Sequence, residues 1–385
     1  MDDSNYVGIV FFHLVKAFDR VWHTGLLEKL RAADIRGSAH EWFVSFLSNR
    51  RQATSVDGSL SSFSTLHAGV PQGAILSPLL FSVYMNDIPS YSPSTASLTK
   101  PPSATNLFAD DTSLYAVEKS FDRLSTKLQE RVDTLSAWFD KWPLTVNTDK
   151  TAVMVLRSRG MSKRPINIRI STTPSPQVES HCHLGLVFHE TLSWSPHVDY
   201  VCGKVSSRLG LLRRLRQRTS QLVVRDLYLY CVRPVTEYAS VAWCGLSVTD
   251  AARLERCNRA AGRLIAKICQ LSHTDHNIIL ARAGLQPLSR SRQYWQALFT
   301  HRLLSGAQPG HLLAVLADWL PSPSARPSSM PLRNQACLRL PRPKKNILKS
   351  SPLYVSFSLW NSLSSSALSN PSDRASKLKD IFLHN

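Results

Sequence analysis

Asn106-Leu107-Phe108-Ala109-Asp110-Asp111-Thr112-Ser113-Leu114-Tyr115-Ala116-Val117 sets two apolar, β-prone arms around a pair of adjacent carboxylates. The pattern predicts a strand, a turn with Asp110 and Asp111 at its tip, and a returning strand. Adjacent carboxylates repel, so a bound cation is a natural reason to expose them on a turn; an ordinary Asp-Asp turn reads the same.

Upstream, Val7–Phe12 is a short apolar run of the kind a buried central strand shows. Thr24–Ala33 and Ser38–Leu47 carry apolar residues at helical spacing, and Ala53–Leu66 predicts a hairpin turning at Asp57-Gly58. A turn built from Gly69, Pro71 and Gly73 precedes an expected buried helix, Ile75–Met85. Residues 89–105, rich in Ser, Pro and Thr, read as an exposed loop. Downstream of the Asp pair come an amphipathic helix, about Ser120–Trp138, and short strands to about Phe188. From Pro196 the pattern is helical and basic, with apolar faces such as Leu209, Leu212 and Leu215. Prolines at 308–331, then Pro341 and Pro343, mark a linker before a last segment with Phe357, Trp360 and Phe382.

Charge divides the chain. Residues 1–150 hold 14 Lys and Arg against 16 Asp and Glu, whereas the remaining residues hold 32 against 11. The whole excess of +19 therefore lies in the C-terminal part, as in Arg213-Arg214-Leu215-Arg216-Gln217-Arg218. A polyanion partner fits this asymmetry, and so does a solvated basic surface. The seven Cys lie scattered in the second half without a CxxC pair, which favours reduced thiols, in the core for Cys202, Cys231, Cys244 and Cys257. Met1–Tyr6 is acidic and lacks the basic start of a signal peptide, and no apolar run suits a membrane span. An intracellular, non-membrane protein is expected, with nucleus and cytoplasm not distinguished.

Nucleotidyl transfer uses two divalent ions about 4 Å apart, held by carboxylates at a strand end and a neighbouring hairpin tip. Phe108-Ala109-Asp110-Asp111 supplies the hairpin half of such a plan. Lys16-Ala17-Phe18-Asp19 follows the first strand, and Gly69-Val70-Pro71-Gln72-Gly73 leads into Ser77-Pro78-Leu79-Leu80-Phe81. In this order the segments closely resemble the palm motifs of reverse transcriptases of non-LTR (LINE-like) retrotransposons, particularly the Jockey and CR1 type. The likeness continues in Trp138–Thr151 (WFDKWPLTVNTDKT), in His183-Leu184-Gly185-Leu186 with Leu192–His197, and in Leu254-Glu255-Arg256 and Arg259–Ile265.

The resemblance implies an α+β fold: a polymerase palm, an antiparallel sheet backed by helices, then an all-α basic thumb or connection region, with the fingers largely absent. The expected divisions are a partial palm at 1–190, a thumb-like region at 191–305, a Pro/Ser-rich linker at 306–350 and a small segment at 351–385. It implies an RNA-directed DNA polymerase that uses Mg²⁺, two ions when active, or Mn²⁺. RNA template, DNA primer, their hybrid and dNTPs are the implied partners; oligomeric state stays open. Asp110 and Asp111 become the metal carboxylates and Lys150 a cation beside the triphosphate. Phe18, Gln72 and Gly73 would line the incoming nucleotide, Phe18 excluding a 2′-hydroxyl. Leu184 and Gly185 would hold the primer end, and Arg213, Arg214, Arg216 and Arg218 would grip template–primer phosphates.

One position departs. The family places its first catalytic Asp five residues before the Phe18 position, where this chain has His13. Imidazole brings no negative charge and is a poor Mg²⁺ ligand, so impaired catalysis is expected. A zinc role for His13 finds no His or Cys partner at ligand spacing. The alternative is a non-enzymatic, basic nucleic-acid-binding remnant of a decayed element. The fingers and upstream endonuclease of the family have no counterpart in Met1–Tyr6.

Overall fold

The computed structural model describes residues 5–88, 103–158, 162–268, 274–306, 338, 340, 346–363 and 373–384. They form two compact units, and the chain passes from the first to the second between Leu184 and Gly185.

In the first unit, β1 (Tyr6–Phe12) leads through a 3-10 turn at Ala17–Arg20 into α1 (His23–Ala32) and α2 (Gly37–Leu47). Four two-residue strands follow: β2 (Arg51–Gln52), β3 (Ser55–Val56), β4 (Ser59–Leu60) and β5 (Ser64–Thr65). Next come α3 (Ser77–Met85), β6 (Ser103–Phe108), β7 (Asp111–Glu118), α4 (Phe121–Lys141) and β8 (Ala152–Leu156). Short strands β9 (Arg169–Ile170), β10 (Thr173–Pro174) and β11 (Ser180–His183) end the unit.

The sheet runs β6-β7-β1-β8, antiparallel throughout. β1 is central, and its pleat sends Val10 and Phe12 into the main core while Phe11, also buried, takes the other face. α4 covers β1 and β7 with a buried stripe of Leu124, Leu128, Val132 and Leu135 at three- and four-residue spacing. A Cβ on Gly8 would stand 2.4 Å from Leu128 Cδ1, so the missing side chain sets how closely α4 lies on β1. The predicted hairpin is two nested ladders, β2–β5 and β3–β4, turning through positive φ at Asp57 and Gly58.

Three expectations change in this unit. The expected helix Ile75–Met85 starts only at Ser77, and Ile75 is 93% exposed, because Ala74–Ser77 form a turn closed by Ser77 N–H on Ala74 O. Residues 103–105 begin β6 instead of ending the predicted loop, whose remainder, 89–102, lies outside the described residues. The helix expected at Ser120–Trp138 continues to Lys141.

The second unit opens with β12 (Leu186–His189) and becomes helical: α5 (Ser195–Leu215), α6 (Gln221–Leu227), α7 (Arg233–Glu237), α8 (Val248–Ile265), α9 (His276–Ala283) and α10 (Leu288–Leu304). Its core gathers Val198, Val201, Val205, Tyr228, Trp243 and Leu254. Fully buried Trp243 donates Nε1–H to Tyr238 O at 2.9 Å and takes the His197 ring edge-on at 4.6 Å. The Arg292 guanidinium lies 3.9 Å from the Trp243 ring centroid and donates to the Thr236 and Trp243 carbonyls. Burial lowers its pKa to about 10.

Helices Pro352–Ser362 and Arg374–Lys379 share a second core with α10, built from Ala297, Leu303, Phe357, Trp360, Leu378 and Phe382. Most of the expected 306–350 linker lies outside the described residues. Leu215, expected on the apolar face of its helix, is 40% exposed at the helix end, where Leu209 and Leu212 alone reach the core. The expected core thiols are not fully buried. Cys202, Cys244 and Cys257 are half-buried and Cys231 is exposed in the wide turn Tyr228–Val232, while Cys269 and Cys337 lie outside the described residues. Among the described residues, no helix is long and apolar enough to cross a membrane.

Candidate active site

β1 and β7 end together. Their last pair is Phe12↔Thr112, and one step further stand His13 and Asp111. β6 and β7 close with Phe108↔Asp111, so the hairpin tip is Ala109 and Asp110 instead of the expected Asp110 and Asp111, and Asp111 already belongs to β7. Ala109 holds φ +52, the left-handed backbone that so tight a connection demands. Asp110 and Asp111 are half-buried and His13 is exposed.

The His13 main chain is clamped from the segment before β8. Asn147 N–H donates to His13 O at 2.7 Å, and His13 N–H donates to Thr151 Oγ1 at 3.2 Å. Thr151 is fully buried and donates its hydroxyl to Asn147 O. The Asn147 side chain accepts from Asp149 and Lys150 amides, which shapes the loop that presents the exposed Lys150. Asn147 and Thr151 were part of the sequence segment singled out above, but only the pairing shows that they hold the His13 strand end.

β11 brings two further imidazoles to this edge. His181 stacks on Phe11 with ring centroids 4.2 Å apart, and His183 lies 5.1 Å from the same ring. Burial lowers the pKa of His181, the neighbouring His183 and His13 lower it further, and Asp111 opposes them. Burial lowers His183 too, again against Asp111. Ligand spacing around His13 cannot reveal these neighbours, because they come from a strand about 170 residues away in sequence.

The Lys16–Asp19 turn and the Gly69–Gly73 loop pack as one piece. Gly69 N–H donates to Val21 O and Val70 N–H to Phe18 O, at 2.8 and 2.9 Å. Gly69 holds φ +90, and a Cβ there would lie 2.8 Å from the Asp19 backbone. Gly69 O in turn accepts from Arg50 at 2.7 Å and sits 2.8 Å from His23 Nε2. Gln72 donates to Asp19 Oδ1 at 2.9 Å, and half-buried Phe18 stacks on Phe81 at 4.5 Å. Gly73 is exposed at φ +88. Lys16, Asp19, Arg50, Arg51 and Gly69–Gln72 line a cleft of about 770 Å³, and Phe18 and Gly73 are not part of that lining. Arg50 and Arg51 are site residues the sequence reading passed over; a basic pair between helix and hairpin was the available signal.

Leu184 and Gly185 both hold positive φ, +48 and +75, in the turn after β11. In the second unit, Arg213 and Arg216 line a separate cleft of about 270 Å³ with Arg256, Arg259 and Arg263, while Arg214 and Arg218 are exposed and do not.

The chemistry on offer is divided. Asp110 and Asp111 could supply oxygen ligands, but the side chain across the strand end from Asp111 is the His13 imidazole. Among the described residues, no three His, Cys, Asp or Glu side chains stand close enough to hold a metal ion. That donor set does not fit a two-Mg²⁺ centre, which takes oxygen throughout. The zinc reading of His13 meets the same obstacle despite His181 and His183.

Comparison with known proteins supplies the context. Residues 2–200 match the family described as reverse transcriptase (RNA-dependent DNA polymerase). The chain is 30% identical over 268 residues to the probable RNA-directed DNA polymerase from transposon BS of Drosophila melanogaster, covering 69% of this chain and 29% of that protein. It is 31% identical over 201 residues to the RNA-directed DNA polymerase from mobile element jockey of the same organism, covering 52% and 22%. The chain thus spans less than a third of these relatives. Among solved structures, apo telomerase from Candida tropicalis is similar at 12% identity and a TM-score of 0.38, covering 81% of this chain and 53% of that one.

Proposed function

Because the chain belongs to the reverse transcriptase family, we propose that it is a non-LTR retrotransposon polymerase module whose nucleotide and template surfaces outlast its chemistry. The first unit is read as the palm and the helical second unit as a thumb-like and connecting region. The observation that carries the reading is the shared end of β1 and β7, which sets His13 against Asp111 where a carboxylate would complete the set.

Each neighbouring residue has a role in this reading. Phe18, stiffened by Phe81, presents an aromatic wall to the sugar of an incoming deoxynucleotide. Gln72, oriented by Asp19, and Gly73 lie along that nucleotide. Lys16, Arg50, Arg51 and Lys150 offer positive charge to triphosphate or template backbone. Leu184 and Gly185 support the primer end. A divalent ion bound by Asp110 and Asp111 would stabilise charge at the transferring phosphoryl group, and His13 withholds the oxygen and negative charge needed to share it. RNA-templated DNA synthesis is therefore strongly impaired.

Primer extension on an RNA template with Mg²⁺ and with Mn²⁺, run beside His13→Asp, tests this. The expected result is little product from the unmodified chain and a gain from His13→Asp. Robust synthesis by the unmodified chain would sink the impairment.

A further inference from the structure

We propose that Cys202 on α5 and Cys257 on α8 form a modification site for hydrogen peroxide, at which the two thiols close into a disulfide that staples the helices together. It involves neither the strand-end carboxylates nor a nucleic-acid partner.

Three observations carry it. First, α5 and α8 pack directly on each other, and the two thiols hydrogen-bond across that contact. A disulfide tolerates little backbone movement, so the sulfurs must already face each other. Here Val198, Val201 and Val205 of α5 share one core with Leu254, Ala261 and Leu264 of α8, and Cys202 and Cys257 both pack against it. Second, both thiols are free and half-buried, open enough for a peroxide and sheltered from a second chain's thiol. Third, the surroundings divide the pair into an attacking and a resolving thiol. The hydrogen bond from Cys257 first, then Arg253 and Arg256, hold Cys202 down to about 7, against burial and Asp199. Arg253 is kept beside the pair by its bridges to Asp199 and Asp250. Cys257 keeps its proton, because the Cys202 sulfur accepts it and burial favours the neutral form. Cys244 has the opposite environment: burial raises it to about 11, and its Sγ donates to Pro352 O at 3.7 Å.

The chemistry balances with hydrogen peroxide as the oxidant. The Cys202 thiolate attacks one peroxide oxygen and the O–O bond breaks. Cys202 becomes a sulfenic acid, and the departing hydroxide takes up the thiol proton as water. The Cys257 sulfur then attacks the Cys202 sulfur. The S–S bond forms, the S–O bond breaks, and the hydroxyl leaves with the Cys257 proton as a second water. Two thiols lose two electrons and two protons, and the peroxide takes them.

The test treats the full chain with hydrogen peroxide and maps its peptides without reductant. The expected result is the loss of two thiols and one linked pair of peptides carrying Cys202 and Cys257, both reversed by dithiothreitol. The new bond closes a loop of about 55 residues, so the oxidised chain should melt roughly 5 °C or more higher. Cys257→Ser should stop the sequence at a Cys202 sulfenic acid that dimedone captures, and Cys202→Ser should leave Cys257 a thiol. Oxidation in urea should scatter the linkage over other cysteines, which separates facing thiols from merely reactive ones. Mapping of the unmodified chain needs neither variant to fold. Oxidation that links Cys182 or Cys231, or joins two chains, while Cys202 and Cys257 stay unlinked overturns the site. A Cys202–Cys257 bond that forms no faster in the folded chain than in urea overturns it too, and an unchanged melting temperature overturns the staple.

Discussion

His13 and Asp111 stand one step beyond the last β1–β7 pair, so an imidazole and a carboxylate share one strand end. The neighbouring Asn147 and Thr151 bonds reach only the His13 backbone. A different side chain can therefore occupy the position without disturbing the sheet.

That indifference makes His13→Asp a clean test of chemistry. A carboxylate returned to this strand end should raise primer extension by roughly 10²-fold or more, the scale of a few kcal/mol of recovered charge stabilisation. Adding Asp110→Asn should abolish the gain. Thermal unfolding should be nearly the same for His13 and His13→Asp, since no main-chain bond changes.

Thr151→Val keeps shape but removes the hydroxyl that accepts from His13 N–H and donates to Asn147 O. It should destabilise the first unit by about 1–3 kcal/mol, because the part-buried His13 N–H loses its partner and Asn147 O loses one of two. Urea unfolding reads this, and Thr151→Ser should recover most of it.

Gly69→Ala meets two obstacles, a φ of +90 and the Asp19 backbone 2.8 Å from the new Cβ. The substitution should cost more than about 1 kcal/mol. In a His13→Asp background it should also raise the KM for dNTP, since it pries the Gln72 loop from the Phe18 turn.

In that same background, Phe18→Ala should let ribonucleotides compete with deoxynucleotides, because it opens the wall that Phe81 supports. Incorporation ratios on one template measure it. An unchanged ratio, with activity retained, would make Phe18 a core aromatic alone.

His197 gives the second unit an acid limit. It is 2% exposed, and burial first, then Arg292 and Lys204, lowers its pKa from 6.5 to about 4. The unfolded chain therefore binds the extra proton between these values, so stability falls as pH drops through that window. A contribution of roughly 3 kcal/mol is complete above the unfolded pKa and gone near the folded one. His197→Phe should flatten the pH dependence of urea unfolding between those limits.

Much of this was legible beforehand. Alternating and apolar runs announced β1, β6 and β7, and a turn at the Asp pair was legible between them, although it falls one residue earlier, at Ala109-Asp110, with Asp111 opening β7. The Asp57-Gly58 turn was legible because both positions need positive φ, which those residue types tolerate. What escaped were contacts across long stretches of chain. Nothing local in Ser180–His183 says that His181 stacks on Phe11, and nothing near Arg256 says that Arg213 lines the same cleft. Ile75 misled because an apolar residue beside a helix looks like part of it, while the turn at Ala74–Ser77 puts it in solvent.

The Asn147 and Thr151 clamp has a historical consequence. Since it grips the chain by main-chain atoms, the codon at position 13 is unconstrained by folding and is guarded only by selection for synthesis. Once that selection lapses, such a gene loses its enzyme early and its shape late. Copies that have fallen silent as polymerases would still yield folded protein.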